Sequence, residues 1–356
     1  MGAGLAGRAT AEALRELDPA LPITLVTACS GDVYYKPELS VAFARGLSPE
    51  TLCREQGAAM ARRLNLRLLD CAFAIGVSPA TSSLRTTRGT LRYSHLVLAQ
   101  GARPALPAAL PASVAWRVND LQGWSGLHQR LRGGPKRIAI VGGGMVGCEL
   151  AEDFVQAGHA VTLLDRNAGP LAGLLPTEAS QRLRRRLEAA GIRVIAPVEV
   201  REARRDAEGV LITTECGLSV EADELVAATG LTTDTRLARS AGLLFNRGIA
   251  IDASTLETSA KGIYALGDCI SIDGVPCRFI EPIARQAAAI ASHILGRRTE
   301  GYAHRAPVVR LKTRSMPLAL HGVPHAGGVW RTVRDDADRF EMEQWFAGKL
   351  HCRLAA

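Results

Sequence analysis

Residues 137–147 read Arg-Ile-Ala-Ile-Val-Gly-Gly-Gly-Met-Val-Gly, an apolar run that ends directly on a glycine-rich turn. The run has the length of a buried β-strand, and a helical pattern follows it to about Ala157. Gly142, Gly144 and Gly147 have the spacing G-x-G-x-x-G. Between a strand and a helix, such a turn lets the backbone approach a pyrophosphate, and the helix N-terminus supplies N–H donors. The segment therefore predicts a dinucleotide-binding βαβ unit.

The next strand, residues 160–164, is followed by Asp165, about 23 positions after Gly142. A carboxylate about 20 residues after the first glycine can bind the ribose 2′-hydroxyl of NAD. Asp165 therefore favours NADH over NADPH, although Arg166 weakens that preference because an arginine can meet a 2′-phosphate. A purely structural turn is the alternative interpretation. The predicted nucleotide-binding residues are Gly142, Gly144, Met145, Val146, Gly147 and Asp165.

The same glycine spacing occurs about 140 residues earlier, at Gly2, Gly4 and Gly7, before a helical pattern that runs to about Leu17. No strand precedes this copy, and Cys29 stands where an acid is expected after the next strand. Taken alone, this copy could be an ordinary turn. Its interpretation depends on a second element near the end of the chain.

That second element is the segment 263–268, Ile-Tyr-Ala-Leu-Gly-Asp, a strand that ends on a Gly-Asp pair. A carboxylate here can accept hydrogen bonds from the ribityl hydroxyls of a flavin. A lone Gly-Asp pair would indicate a loop turn, but two glycine fingerprints in one chain favour a cofactor site. The predicted FAD-binding residues of these motifs are Gly2, Gly4, Leu5, Ala6, Gly7, Gly267 and Asp268.

Strands alternate with helices through most of the chain, which predicts parallel sheets. The expected fold class is α/β, with two Rossmann-like dinucleotide-binding domains, for FAD and NAD, and a small α+β C-terminal domain. Residues 50–65 are expected to be helical. The opening strand of the first unit is expected to be missing, and the C-terminal domain to be about one helix short, at about 11–12 residues per helix. The expected domains are residues 1–107 (FAD, first part), 108–235 (NAD(P)), 236–305 (FAD, second part) and 306–356 (C-terminal).

The bulk composition narrows the possible partners and location. Of 356 residues, 47% are hydrophobic, and no apolar run approaches the roughly 18 residues that span a bilayer. With no signal-peptide pattern, we expect a cytoplasmic protein without a membrane partner. The formal net charge is +8, and 43 basic residues include only five lysines. Nucleic-acid binding is not expected because no recognition motif accompanies the charge, whereas an acidic protein partner is favoured.

The eight cysteines form no C-x-x-C pair, so the spacings typical of zinc and iron–sulfur sites are absent. We expect reduced, mostly buried thiols. Cys148 and Cys269 lie beside motif residues and are predicted to be packing residues.

Over nearly its whole length the chain resembles the FAD-dependent pyridine-nucleotide-disulfide oxidoreductase superfamily. The resemblance rests on residues 2–7, 96–104, 142–147 and 264–268, and Ala228-Thr229-Gly230 looks like the family's second A-T-G element. The family fold is an FAD domain interrupted by an NAD domain, followed by a small C-terminal interface domain.

Disulfide reductases of this superfamily carry a C-x-x-x-x-C pair where this chain has residues 34–40, Tyr-Tyr-Lys-Pro-Glu-Leu-Ser. This segment lacks cysteine and is similar to that of rubredoxin–NAD(P) reductases, as are residues 26–28, 118–121, 147–149, 311–313 and 316–317. The resemblance implies that NADH reduces FAD, which passes electrons to a small acidic iron protein such as rubredoxin. A reductase for ferredoxin or another iron-protein component is one alternative, and a truncated, non-catalytic flavoprotein is another.

The resemblance also implies residue roles, none of them as a catalytic nucleophile, acid or base. Lys36 and Lys312 would lie by the isoalloxazine, where positive charge stabilises reduced anionic flavin, and Glu149 would lie near the flavin–nicotinamide contact. The alternatives are solvated lysines and a helix-surface acid. The remaining implied cofactor contacts are Thr27, Ala28, Pro37, Ala74, Ala99, Gly101, Arg103, Gly230 and Ile280.

Overall fold

The computed structural model describes residues 1–105, 107–298, 300–336 and 339–356. The helices are α1 Leu5–Leu17, α2 Pro49–Leu52, α3 Gly57–Arg63, α4 Leu121–Leu131, α5 Met145–Gln156, α6 Thr177–Ala189, α7 Arg236–Ser240 and α8 Ile283–Ile294, with 3-10 helices at Lys36–Val41 and Gly267–Cys269. None of the helices in the described residues combines the length and hydropathy that a bilayer crossing requires.

The strands are short. In chain order they are β1 Thr24–Val26, β2 Arg67–Leu69, β3 Ala74–Ser78, β4 Ser83–Thr86, β5 Gly89–Arg92, β6 Leu96–Leu98, β7 Arg103–Pro104, β8 Ala115–Trp116, β9 Arg137–Val141, β10 Ala160–Leu164, β11 Ile192–Ile195, β12 Val200–Arg205, β13 Val210–Thr214, β14 Ser219–Ala222, β15 Glu224–Ala227, β16 Leu231–Thr232, β17 Ile249–Ala250, β18 Ile263–Ala265, β19 Ile270–Ile272, β20 Val275–Pro276, β21 Val309–Leu311, β22 Leu318–Gly322, β23 Val329–Asp335, β24 Phe340–Phe346 and β25 Lys349–Ala355. The predicted α/β class with parallel sheets is confirmed.

The chain forms two compact units. The first comprises residues 1–34, 53–103 and 231–307, and the second comprises residues 35–52, 104–230 and 308–356. Each unit is therefore built from segments that are far apart in the sequence. The predicted division into four segments remains a proposal beside these two units.

The described part of the first unit contains three parallel strand pairs, β1–β2, β6–β18 and β17–β19. The backbone of the first two residues lies between β1–β2 and β6–β18: Gly2 N–H donates to Val26 O at 2.7 Å, and Ala99 N–H donates to Met1 O at 2.8 Å. Helix α1 packs against α8 and buries Gly7, which lies on the same helix face as Ala11 and Leu14. This unit positions the first glycine motif and the Gly-Asp element.

In the second unit, the parallel sheet has the strand order β11-β10-β9-β15-β8. Strand β9 is central, and its Ile138, Ala139 and Ile140 are fully buried, as expected for a parallel strand covered on both faces. Helix α5 follows β9 and is buried from Gly147 to Phe154. The same unit contains the antiparallel sheet β12-β13-β14.

The C-terminal segment forms an antiparallel sheet with the order β21-β22-β25-β24-β23. Residues 308–336 and 339–356 contain no helix, so the helical part of the expected α+β segment is not seen there. The sheet alternates buried residues on one face (Phe340, Met342 and Leu354) with half-buried or exposed residues on the other.

The helix expected over residues 50–65 is interrupted. Helix α2 ends at Leu52 and α3 begins at Gly57. Between them, Arg54 N–H donates to Val33 O, and Val33 N–H donates to Glu55 O, both at 2.8 Å. This bridge with a distant segment uses backbone groups that a continuous helix would need. The tertiary contact therefore interrupts the helix despite its local helical propensity.

Candidate functional site

The first glycine motif has no room for side chains on two of its three glycines. Gly2 has φ 102°, and a Cβ there would lie 2.1 Å from Ala99 O. A Cβ on Gly7 would lie 1.8 Å from Gly2 O, so α1 starts in direct contact with the turn. Gly4, the N-cap of α1, is different, because a Cβ there would meet no atom within 4 Å. The open side of the loop is therefore at the helix N-terminus.

The second motif repeats this geometry. Gly142 has φ 112°, and its Cβ would lie 2.4 Å from Ala228 O. A Cβ on Gly147 would lie 1.8 Å from Gly142 O, and Gly144, the N-cap of α5, again faces open space. In both loops the crowded glycines fix the turn, while the open one lets a ligand approach the first N–H groups of the helix. Both loops fit the pyrophosphate of a dinucleotide.

The residues beside the open glycines begin the two helices. Leu5 starts α1 and Met145 starts α5. Ala6 reaches the Gly-Asp element, because a Cβ on Gly267 would lie 3.1 Å from Ala6 Cβ. Val146 is 45% exposed in the first turn of α5, at the open side of the second loop.

Asp165 is buried at the end of β10, and its carboxylate is already held by backbone. Oδ2 accepts from Gly143 N at 2.7 Å, and Oδ1 accepts from Asn167 N at 2.8 Å and Asn167 Nδ2 at 3.0 Å. These bonds hold the carboxylate against the glycine turn. A carboxylate has about four acceptor positions, so a ribose hydroxyl can still be bound. Arg166 is exposed.

Asp268 lies in the 3-10 helix Gly267–Cys269, directly after β18, and is half-buried. Gln286 of α8 is fully buried, and its Oε1 accepts from Gly267 N at 3.0 Å. Gln286 thus fixes the backbone that carries Asp268. Sequence reasoning missed it, although a glutamine in an otherwise apolar stretch of helix is a detectable signal.

Most other implied FAD contacts lie in the first unit. Thr27 and Ala28 follow β1, Ala74 begins β3, Ala99 and Gly101 follow β6, and Ile280 precedes α8. Arg103 is engaged elsewhere: its Nη2 lies 2.9 Å from Asp234 Oδ2. In the second unit, Gly230 has φ 95°, and its carbonyl accepts from Ala105 N at 2.9 Å.

Lys312 and Glu149 form a half-buried ion pair within the second unit. Lys312 Nζ lies 2.9 Å from Glu149 Oε2, and Lys312 N–H donates to Glu149 Oε1 at 3.0 Å. Nζ also donates to Ser40 Oγ at 2.8 Å and to Pro37 O. Since an ammonium has three N–H donors, all three of Lys312 are used. Glu149 is 4% exposed, so it is not a helix-surface acid.

Lys36 differs from Lys312 in its surroundings. Lys36 begins the 3-10 helix Lys36–Val41, is exposed, and makes no ion pair with any residue that the structure describes. Of the two lysines, Lys36 is the one whose ammonium has free donors. Pro37 links the two, because its carbonyl accepts from Lys312.

Two further acids of α5 hold the same segments as Glu149. Asp153 Oδ2 accepts from Phe43 N at 2.8 Å and its Oδ1 from Ala44 N at 3.1 Å. Glu152 accepts from Ser315 N at 2.8 Å and from Arg314 N. Burial raises the pKa of Asp153 to about 6, against the opposing effect of these backbone N–H groups. We call Glu149, Glu152 and Asp153 the acid face of α5.

Sequence reasoning predicted only Glu149 of this acid face. The missed signal is the spacing i, i+3 and i+4, which puts the three acids on one side of the helix. In an otherwise apolar helix, such a group indicates buried acceptors for backbone N–H groups.

The cysteine prediction is only half right. All eight cysteines are free thiols, but four are buried (Cys148, Cys269, Cys277 and Cys352), Cys53 is half-buried, and Cys29, Cys71 and Cys216 are exposed. The packing roles of Cys148 and Cys269 agree with their complete burial. Burial raises the pKa of the Cys269 thiol to about 12.

The fold and both glycine loops define a class of dinucleotide-binding oxidoreductases. A family model described as "Pyridine nucleotide-disulphide oxidoreductase" matches residues 1–291. The chain belongs to this family, whose cofactors are FAD and NAD(P)H.

Two curated relatives show which members of the family the chain is similar to. The chain is 37% identical over 322 residues to a "Nitric oxide reductase FlRd-NAD(+) reductase" of Escherichia coli (strain SMS-3-5 / SECEC), covering 90% of this chain and 85% of the relative. The protein of the same name from Escherichia fergusonii has the same identity and coverage.

Solved structures agree. A covalent putidaredoxin reductase–putidaredoxin complex has a TM-score of 0.88 at 25% identity, covering 100% of this chain and 88% of that one. The ferredoxin reductase for the CYP199A2 system of Rhodopseudomonas palustris has a TM-score of 0.87 at 25% identity, covering 99% and 89%. The resemblance to FAD-dependent reductases of small iron proteins is confirmed.

Proposed function

We propose that this protein is an NADH-dependent FAD reductase that passes electrons to a rubredoxin-type iron protein. When bound, FAD accepts an electron pair from the nicotinamide and delivers electrons one at a time. The chain itself supplies binding, orientation and electrostatics. Two matching glycine loops, each open at a helix N-terminus, are the observation that carries the proposal.

The residues divide the work as follows. The loop at Gly4 binds the pyrophosphate of FAD, and Asp268 accepts hydrogen bonds from its ribityl chain. The loop at Gly144 binds the pyrophosphate of NADH, and Asp165 binds the adenosine ribose. Lys36 supplies positive charge beside the flavin, a role that the family resemblance implies and that its exposed ammonium allows.

The serine at position 40 supports electron transfer from the flavin directly to an iron protein, without a pair of cysteine thiols as an intermediate carrier. Ser40 lies in the segment where disulfide reductases of the family carry cysteine, and its hydroxyl bonds to both Glu149 and Lys312. A serine cannot cycle between dithiol and disulfide, so electrons must leave the flavin for an external acceptor.

The rubredoxin-type acceptor is supported by the relatives named for FlRd, a flavorubredoxin, and by the +8 charge, which attracts acidic proteins. The second candidate is a ferredoxin-type acceptor, favoured by the two solved reductases.

Stopped-flow reduction tests the proposal and separates the two candidates. The yellow holoprotein is first reduced with NADH, and equal concentrations of oxidised rubredoxin or ferredoxin are then added. We expect bleaching of the flavin by NADH and faster reoxidation by rubredoxin. Faster reoxidation by ferredoxin would transfer the assignment to the second candidate, and FAD-loaded protein that NADH does not bleach would indicate a non-catalytic flavoprotein.

A further inference from the structure

Two exposed cysteines lie side by side in the first unit, outside the glycine motifs. Cys29 follows β1 and Cys71 follows β2, and these strands are parallel neighbours with Val26 paired to Leu69. We propose that Cys29 and Cys71 form a reversible disulfide under oxidising conditions. This modification site goes beyond the proposed function, and its chemistry does not depend on which protein accepts electrons.

Backbone hydrogen bonds bring the two residues within reach. Cys71 N–H donates to Cys29 O at 3.1 Å, and Ala72 N–H donates to Thr27 O at 2.8 Å. With standard bond lengths, the first of these bonds limits the separation of the two Cα atoms to about 7 Å, and any bend shortens it. Disulfides span Cα separations of about 4.4–6.8 Å, so the backbone spacing of the two cysteines is compatible with a disulfide.

Each cysteine also has a distinctive local geometry. Cys29 Sγ lies 3.2 Å from Thr27 Oγ1, and the Thr27 side chain is buried, so this contact limits where the sulfur can move. Cys71 has φ 46°, in the left-handed region, where the chain turns away from β2. Both exposed cysteines thus lie just beyond the ends of adjacent strands.

The other cysteines of this unit are less reactive. Cys269 and Cys277 are buried, and burial raises the pKa of both thiols. Cys53 is half-buried, and burial together with the charge of Asp32 raises its pKa as well. Since oxidation requires an accessible thiolate, Cys29 and Cys71 are the pair in this unit that a mild oxidant reaches first.

Hydrogen peroxide is a sufficient oxidant. One thiol attacks a peroxide oxygen, which breaks the O–O bond and yields a sulfenic acid and one water. The second thiol then attacks the sulfenic sulfur, forms the S–S bond and releases a second water. The two thiols together lose two electrons and two protons, and the peroxide is reduced to two waters. A thiol reductant restores both cysteines by exchange.

The Cys29–Cys71 disulfide would link the ends of β1 and β2. The chain between the two cysteines, which includes α2 and α3, would become a closed loop. The joined segments adjoin Thr27, Ala28 and Ala74, which are proposed to contact FAD.

Peptide mapping of the holoprotein tests the proposal. Protein treated with a slight excess of hydrogen peroxide is alkylated, digested and analysed by mass spectrometry, with untreated protein beside it. We expect a cross-linked peptide pair containing Cys29 and Cys71, lighter by two hydrogens than the separate peptides and absent after reduction. Cys29→Ser and Cys71→Ser should each abolish it, in protein shown to be folded by its unfolding temperature.

Cys216 provides a matched control. It is exposed, and its Sγ lies 3.2 Å from Thr214 Oγ1, the same contact that Cys29 makes with Thr27. The hydrogen bond between Thr214 and Cys216 lowers the pKa of the Cys216 thiol, so Cys216 tests whether a reactive, exposed thiol is enough to join the cross-link. Cys216→Ser should leave the cross-link unchanged. Oxidation of Cys29 or Cys71 to sulfinic acid without a cross-link, or pairing of either with Cys53, would overturn the proposal.

Discussion

The backbone N–H of Gly143 donates a hydrogen bond of 2.7 Å to Oδ2 of Asp165, and a Cβ on Gly143 would lie 2.2 Å from that same oxygen. The glycine and the acid are therefore matched. In the first motif, Ala3 occupies the place of Gly143, and Cys29, not an acid, lies beyond the second strand. The two loops thus share their geometry but differ at this one pair.

This pairing predicts the effect of Gly143→Ala. The added methyl must displace the Asp165 carboxylate, so the KM for NADH should rise about tenfold or more, equivalent to about 1.4 kcal/mol. FAD content should not change. Steady-state kinetics and the flavin absorbance measure the two quantities. Ala3→Gly is the matched control and should leave the KM for NADH near its original value. Unchanged kinetics in Gly143→Ala would mean that Asp165 does not contribute to NADH binding.

Asp268→Ala should weaken FAD retention. Its carboxylate is the proposed acceptor for flavin hydroxyls, and a lost charge-assisted hydrogen bond costs about 1.5–3 kcal/mol, or roughly 10- to 100-fold in affinity. The ratio of flavin to protein after dilution and gel filtration measures the effect. Asp70→Ala is the control, because Asp70 is an exposed acid paired with Arg88 in the same unit. Equal FAD retention in both variants would mean that the Gly-Asp element is only a turn and does not bind the cofactor.

Lys312→Met should destabilise the protein by about 1–3 kcal/mol, because it leaves the buried Glu149 carboxylate without its cation. The half-exposed lysine keeps the loss below that of a fully buried pair. Adding Glu149→Gln should recover more than half of the loss, since no unpaired charge then remains. Urea unfolding measures the free energy of unfolding of both variants and of the control Lys36→Met. Lys36→Met should change stability by less than about 0.5 kcal/mol. A double variant no more stable than Lys312→Met would show that the ion pair is not the source of the loss.

Asp153 predicts a pH dependence with a definite sign. Its pKa rises from 3.8 to about 6 in the folded protein, so in this range the folded state binds more protons than the unfolded state. Stability is therefore lost as pH increases from 3.8 to about 6. Asp153→Asn cannot ionise at this position. As pH rises from 3.8 to about 6, its free energy of unfolding should therefore increase by about 1–3 kcal/mol relative to that of the unmodified protein. Parallel curves of stability against pH would contradict the assignment.

Reduction of rubredoxin should slow as salt increases. The chain carries a net charge of +8, and the Debye length falls from about 30 Å at 0.01 M to about 10 Å at 0.1 M. Attraction to an acidic partner is therefore screened over this range. A small neutral dye, reduced by the same flavin, should respond little and serves as the control. Equal salt responses would mean that charge does not steer docking.

Both nucleotide motifs can be predicted from local sequence alone. Their information is local: a glycine every two or three positions, a strand before the second turn and a helix after both. The acid at position 165 is also readable, because strand and helix lengths fix its spacing. Local sterics decide these features, so the glycine geometry could be predicted without the fold.

Tertiary structure alone decided which distant groups meet. Lys312, Glu149 and Ser40 are separated by more than 100 residues, yet they share hydrogen bonds. The interruption of the helix expected over residues 50–65, and the adjacency of Cys29 and Cys71, also come from backbone contacts between separate segments. Such contacts depend on how buried polar groups find partners when segments pack, and no local pattern specifies that choice.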